Sequence, residues 1–231
     1  MIHVVFPNGM TAIFHQPHYQ GTGMKTYPDN SPSPGAQFKP RRVFLFSGHM
    51  IDAQDRSEPR FPASQEAVAA QAIGDTLDTL DAGPGDLALC SGACGGDILF
   101  AEACLQRGVR LEIWLPFVIS TFLEKSVSFA GQGWSNRFHA IQDNPLATLS
   151  IIPGQTEFAP DAANPYARTN LWLLQSAFAW GEDKVHFICL WNRQGGDGSG
   201  GTEHMHDEVN KRTGQVHLLD TNILFAQGET P

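Results

Sequence analysis

The sequence predicts an α/β protein: a mostly parallel sheet with helices on both faces, plus an N-terminal β-hairpin extension. Three observations predict it. Short apolar runs alternate along the chain with segments of helical periodicity. Two of those runs, 43–46 and 87–90, are apolar at every position rather than at every second one, as strands covered on both faces are. Several of them end in Ser-Gly or longer glycine-rich stretches, the punctuation of strand-to-helix connections.

Taken in order, residues 1–16 hold two apolar or alternating runs around Pro7-Asn8-Gly9, and Asn-Gly adopts positive φ at low cost, which predicts a hairpin. Residues 17–40 are rich in Pro, Gly, Ser and Tyr without periodicity, a connecting arm. The chain thus divides into residues 1–40, hairpin and arm, and residues 41–231, the main domain. There, strands are expected at 43–46, 87–90, 109–115, 148–152, 185–191 and 216–219. Helices are expected at 64–80, 98–107, around 119–129, 134–142, 166–180 and 202–212. Asn164 followed by Pro165 is a strong start signal for the fifth of these. Six strands alternating with helices make a Rossmann-like fold; periodicity does not encode the strand order.

With 231 residues, 42% apolar and 17% charged, the main domain is long enough for one sizeable core. The net charge of −9 repels polyanions at long range, so neither nucleic acid nor a membrane surface is expected as a partner. Residues 1–9 lack the basic and long apolar regions of a signal peptide, and no apolar run approaches a membrane span. Cys90, Cys94, Cys104 and Cys189 lie within or beside apolar runs, as reduced core thiols do. A cytoplasmic protein is expected.

In open parallel sheets, ligands bind beyond the carboxyl ends of the strands. Three predicted strands end there in glycine-bearing loops: FLFSGHMID (44–52), LALCSGACGGD (87–97) and FICLWNRQGGDGSGGTE (187–203). In the second, Asp97 is a good N-cap, and a helix start of this kind favours a phosphate or carboxylate. A plain tight turn satisfies the same spacing. In the third, Thr202 is the candidate cap, and the long loop before it suits either a linker or a shaped backbone.

The segments FSGHMIDAQDRSEPRFP, SGACGGDILFAEACLQRGVRLEIWLPF and GDGSGGTEHMHDEV together resemble the SLOG superfamily. These are Rossmann-like domains related to the Lonely-guy phosphoribohydrolases and the DNA-processing Smf proteins, and the bacterial branch it looks most like accompanies signalling and conflict-system modules. The resemblance implies a pocket for a nucleotide or nucleotide-derived signal, held at Ser91, Gly92, Gly95, Gly96 and Asp97 and at Gly200, Gly201 and Thr202. Gly48 and His49 follow the first strand at the same edge; His49 suits a base or ribose contact, or a structural hydrogen bond. Arg168 and Asn170, near a helix start, suit either a ligand phosphate or a surface pairing.

The phosphoribohydrolases carry Pro-Gly-Gly-x-Gly-Thr-x-x-Glu, whose glutamate assists cleavage of the N-glycosidic bond. Here Met205 stands at the glutamate position. Glu203 is two positions early, Glu208 almost one turn late, and Glu102 lies on another helix. A sensor or regulatory module reporting through a homodimer or a signalling partner is therefore expected ahead of a nucleotide N-glycosidase, with a scaffold as a third reading. No cofactor and no metal are expected: His204 and His206 are two apart, pointing to opposite sides of a helix, and no CxxC pair is present. The Gly-x-Ser-x-Gly elbow of serine hydrolases is missing around Ser91 and Ser199.

Overall fold

The computed structural model describes residues 38–152, 164–194, 201–213 and 215–226, together with the two short strands 2–5 and 11–14. The chain divides into two compact units, Met1–Phe38 and Lys39–Pro231. In the first, β1 (Ile2–Val5) and β2 (Thr11–Phe14) pair antiparallel, Ile2 opposite Phe14 and Val5 opposite Thr11. The turn at Pro7-Asn8-Gly9 and the arm lie outside the described residues.

The second unit holds the six expected strands: β3 (Val43–Gly48), β4 (Leu87–Cys90), β5 (Arg110–Leu115), β6 (Ala147–Ile151), β7 (Val185–Trp191) and β8 (Val216–Asp220). All neighbours run parallel, in the order β6-β5-β4-β3-β7-β8. Every residue of β4, and β3 from Val43 to Ser47, is buried, whereas the edge strands β6 and β8 are half-covered. This is why the central runs read as unbroken apolar sequence.

Strands β3 to β6 are laid down in one direction, and the chain then returns to place β7 beside β3. Because parallel crossovers are right-handed, the reversal sends helices to opposite faces. Helices α1 (Glu66–Thr79), α2 (Gly96–Gln106) and α4 (Gln132–Gln142) pack side by side, with α2 between the other two. Helices α5 (Pro165–Phe178) and α6 (Thr202–Arg212) pack together against the sheet. Helix α3 (Ile119–Ser126) contributes Phe122 to the core, and α7 (Thr221–Ala226), a short helix without a sequence signal, lies against α1.

Helix α2 has almost no polar face because it has almost no solvent face: Gly96 to Ala101, Ala103 and Cys104 are buried. Phe100 stacks on Phe46 of β3 with ring centroids 4.7 Å apart. All four cysteines are buried and free. Burial pushes the thiols of Cys94 and Cys189 up to about 12, which leaves them protonated core groups rather than nucleophiles. Among the described residues, no helix is long and apolar enough to cross a membrane.

The amino-terminal end of β4 is tied down by Asp86. Its buried carboxylate accepts from Arg41 Nε at 3.1 Å and Nη2 at 2.9 Å, and from the N–H groups of Arg42 at 3.2 Å and Gly83 at 3.0 Å. These bonds join the strand β3 entry to the turn before β4.

Candidate functional site

The strand order reverses between β3 and β7, and the crevice beyond their carboxyl ends is where such sheets bind ligands. A cavity of about 360 Å³ opens there. Ser47 and Gly48 come to it from β3, Ser91, Ala93 and Asp97 from the β4–α2 junction, and Gly201 and Thr202 from the start of α6. Asn164, Tyr166, Ala167 and Asn170 come from the start of α5, and Phe46, Met50 and Phe122 complete an apolar wall. A larger hollow of about 670 Å³ lies between Glu182, Asp183, Arg212, Thr213 and Gln215, near the amino-terminal end of β7. Its charged lining pairs with itself, Arg212 with Glu182 at 3.5 Å, so the strand-end cavity is the better candidate.

The glycines of the β4–α2 junction serve the protein's own backbone. Gly95 has φ of 92°, and a Cβ there would stand 2.6 Å from the amide nitrogen of Ile51. The Gly96 N–H donates to His49 O at 3.1 Å, and a Cβ on Gly96 would meet the Phe46 ring at 3.0 Å. Gly92, at φ 78°, packs against Ile113. The close approach implied by glycine is thus made by residues 49–51 of the β3–α1 loop.

The same junction differs from the expected anion cradle in a second way. The helix N-cap is Gly95, and Asp97 sits inside the first turn with its carboxylate folded back over the loop. It accepts the Ser91 N–H at 3.4 Å and is also hydrogen-bonded by the Ala93 N–H, while the Cys94 N–H donates to Ser126 O at 2.9 Å. The protein's own carboxylate therefore takes amides that an anionic ligand was expected to use. Asp97 is only 6% exposed. Burial pushes its carboxyl up to about 7, against the opposing pull of the Ser91 and Ala93 N–H groups.

On the other side of the cavity, Ser47 Oγ and Thr202 Oγ1 are 2.8 Å apart and hydrogen-bonded, which fixes the start of α6 to the end of β3. Gly201, not Thr202, is the N-cap, in extended conformation, and Thr202 is the first helical residue. Gly200 lies outside the described residues.

Gly48, Ser91, Asp97, Gly201 and Thr202 thus come together, whereas His49 and Arg168 do not line the cavity. His49 joins two loops: its Nε2 lies 3.2 Å from the Asn192 N–H, which donates to it, and 3.2 Å from Asn192 Oδ1. Burial, with Arg60 adding to it, lowers the imidazole to about 4, so the ring is neutral. Arg168 is half-buried on α5, two positions before Asn170, which does line the cavity.

None of the three glutamates reaches it. Glu102 is gripped by Arg137 at 2.8 and 2.6 Å, Glu208 pairs with Lys211 at 3.3 Å and Arg212 at 3.5 Å, and Glu203 is exposed. Met205 is completely buried. Among the described residues, Asp97 is the only carboxylate of the lining, and no Arg, Lys or His lines it. Also among the described residues, no group of three or more His, Cys, Asp or Glu side chains is placed to hold a metal ion.

Asn164, Tyr166, Met50 and Phe122 have no individual sequence signal as site residues. One general signal was available: every helix that follows a parallel strand starts at the carboxyl edge, so the first turns of α5 belong there even without a glycine cluster.

No known family model matches the sequence, and no curated protein matches it. Among solved structures the chain is similar to DNA processing protein A from Helicobacter pylori, at 14% identity over 82% of this chain and 74% of that one, with a TM-score of 0.42. It is also similar to the Moco carrier protein from Chlamydomonas reinhardtii, at 14% identity over 82% and 96%, TM-score 0.32. A third is the molybdenum cofactor binding protein from Rippkaea orientalis, at 14% identity over 84% and 98%, TM-score 0.30. The all-parallel strand order is the Rossmann-like arrangement that the motif resemblance implies.

Contrary to the expectation from the sequence, the net charge does not exclude nucleic acid as a partner. The structure of DNA processing protein A was determined for its single-stranded DNA binding mode, on a fold similar to this one. A net charge of −9 is a sum over the whole chain and sets the distant field, whereas strand binding is decided by a few local groups.

Proposed function

We propose that the chain binds a nucleotide or nucleotide-derived small molecule in the cavity at the carboxyl ends of β3, β4 and β7, and reports its occupancy through a second copy or a signalling partner. The observation that carries this reading is the cavity itself: about 360 Å³ at the point where the strand order reverses, within the range of small-molecule sites of about 300–1,000 Å³. Phe46, Met50 and Phe122 offer an apolar wall, and Ser47, Ser91, Thr202, Asn164 and Asn170 offer hydrogen bonds. Because Asp97 occupies amides of the first glycine loop, a phosphate falls to the start of α6 at Gly201 and Thr202, where the positive end of the helix macrodipole favours it. The four buried thiols suit a reducing, cytoplasmic setting.

Calorimetry and thermal unfolding with AMP, ADP-ribose, NAD and cyclic nucleotides test this reading. Stabilisation by one of them is expected, worth about 2.7 kcal/mol at a hundredfold excess over Kd; no response to any of them overturns the reading. Sensing is favoured over catalysis because Met205 is core and the glutamates lie elsewhere. One observation favours a second reading, nucleotide N-glycosidase activity: a buried carboxylate, Asp97, does line the cavity. Free base released from AMP or NAD would decide for it.

A further inference from the structure

We propose that Asp97 is the ribose-binding group of this cavity, accepting the hydroxyls of a ribonucleotide's sugar, and that the site therefore discriminates against 2′-deoxy ligands. The inference rests on the reading that the cavity holds a nucleotide.

A carboxylate that is 6% exposed and faces no cationic side chain of the described lining repels a phosphate at close range, because little water screens the two charges. The part of the ligand beside Asp97 must instead donate hydrogen bonds. The backbone N–H groups of Ser91 and Ala93 come from the loop, and above about pH 7, where the carboxyl is ionised, it has about four lone-pair sites, so two donors leave acceptor capacity on it.

Two further observations select the sugar among the donors of a nucleotide. Thr202 and Asp97 line the same small cavity, so with the phosphate at the start of α6, the next group along the ligand is the ribose. The hydroxyls of Ser47, Ser91 and Thr202 line the same cavity as Asp97, and a hydroxyl both donates and accepts, as sugar hydroxyls do. An ammonium group would call for acceptors alone.

Binding of AMP and ADP-ribose, each paired with its 2′-deoxy counterpart, is measured by calorimetry on the wild-type chain and on Asp97→Asn. The expected result is a loss of about tenfold or more on removing the hydroxyl, since a site built around a ligand hydroxyl rejects the analogue lacking it. In Asp97→Asn, which keeps an acceptor for the Ser91 N–H, the ribonucleotide weakens while the deoxy form changes little. Equal affinity of the ribo and deoxy forms for the wild-type chain overturns the inference and leaves the nucleotide reading intact, a comparison that needs no variant to fold. Failure of both AMP and ADP-ribose to bind also overturns it; the nucleotide reading falls only if NAD and the cyclic nucleotides fail as well.

Discussion

Strand β4 carries a buried aspartate at each end, and the two are held in opposite ways. Asp86, before the strand, meets Arg41, the Arg42 and Gly83 N–H groups, and Arg42 Nε at 3.6 Å. Burial works against its charge, but hydrogen bonds from Arg41 and Gly83 and the charges of Arg42 and Arg41 hold the carboxyl below its ordinary range. Asp97, after the strand, has backbone N–H groups and no cation in the lining it shares. One end of the strand is stitched shut by compensated charge. The other keeps an uncompensated carboxylate where the fold places ligands.

The contrast is broken most easily at Asp86. Its replacement by Ala removes the acceptor of two part-buried amides and one of the two carboxylates that Arg41 and Arg42 share, Asp81 remaining to both, with an expected loss of about 2 kcal/mol in urea unfolding. A loss below about 1 kcal/mol would show that the amino-terminal clamp contributes little beyond a surface ion pair.

Asp97→Asn probes the other end through pH. The folded carboxyl is raised from 3.8 to about 7, so between these values the folded state binds the extra proton, and the stability it brings is lost as pH rises through the folded value. His49 and His186, lowered by burial to about 4, act oppositely as the solution is acidified, which is why each pH needs the wild type and the variant side by side. The wild type should lose stability relative to Asp97→Asn from about pH 4 to about pH 7. A difference independent of pH would mean that Asp97 is as well compensated as Asp86.

The smallest effect is expected at Ser47→Ala, which removes the hydroxyl bond to Thr202 for about 1 kcal/mol in thermal unfolding. No change would place that bond outside the fold's energetics.

Much of this architecture is legible in the residues. The apolar runs at 43–46, 87–90 and 187–191 identify central strands because only strands covered on both faces tolerate them. Asn164 and Pro165 mark a helix start that the structure keeps, with the Asn164 side chain accepting the Tyr166 N–H at 3.1 Å. The strand order is not legible, since it depends on which edge each crossover takes and not on local pattern. At the site, glycine at 95 and 96 announces a close approach but not its partner, so the backbone of residues 49–51 was indistinguishable from a ligand. Asp97 and Thr202 have the side chains of caps, yet Gly95 and Gly201 take the cap positions, and the two side chains instead bond the Ser91 N–H and Ser47 at the cavity.

The bond between Ser47 and Thr202 joins residues 155 apart in sequence. Strand β4 finds β3 early in the chain, but the cavity exists only once β7 has docked on β3's other edge and α6 has followed it. Loop-closure entropy grows with separation, and contacts this distant in sequence slow folding. The cavity is therefore complete only when the end of the chain has docked, and a fragment that stops short of α6 lacks the wall formed by Gly201 and Thr202.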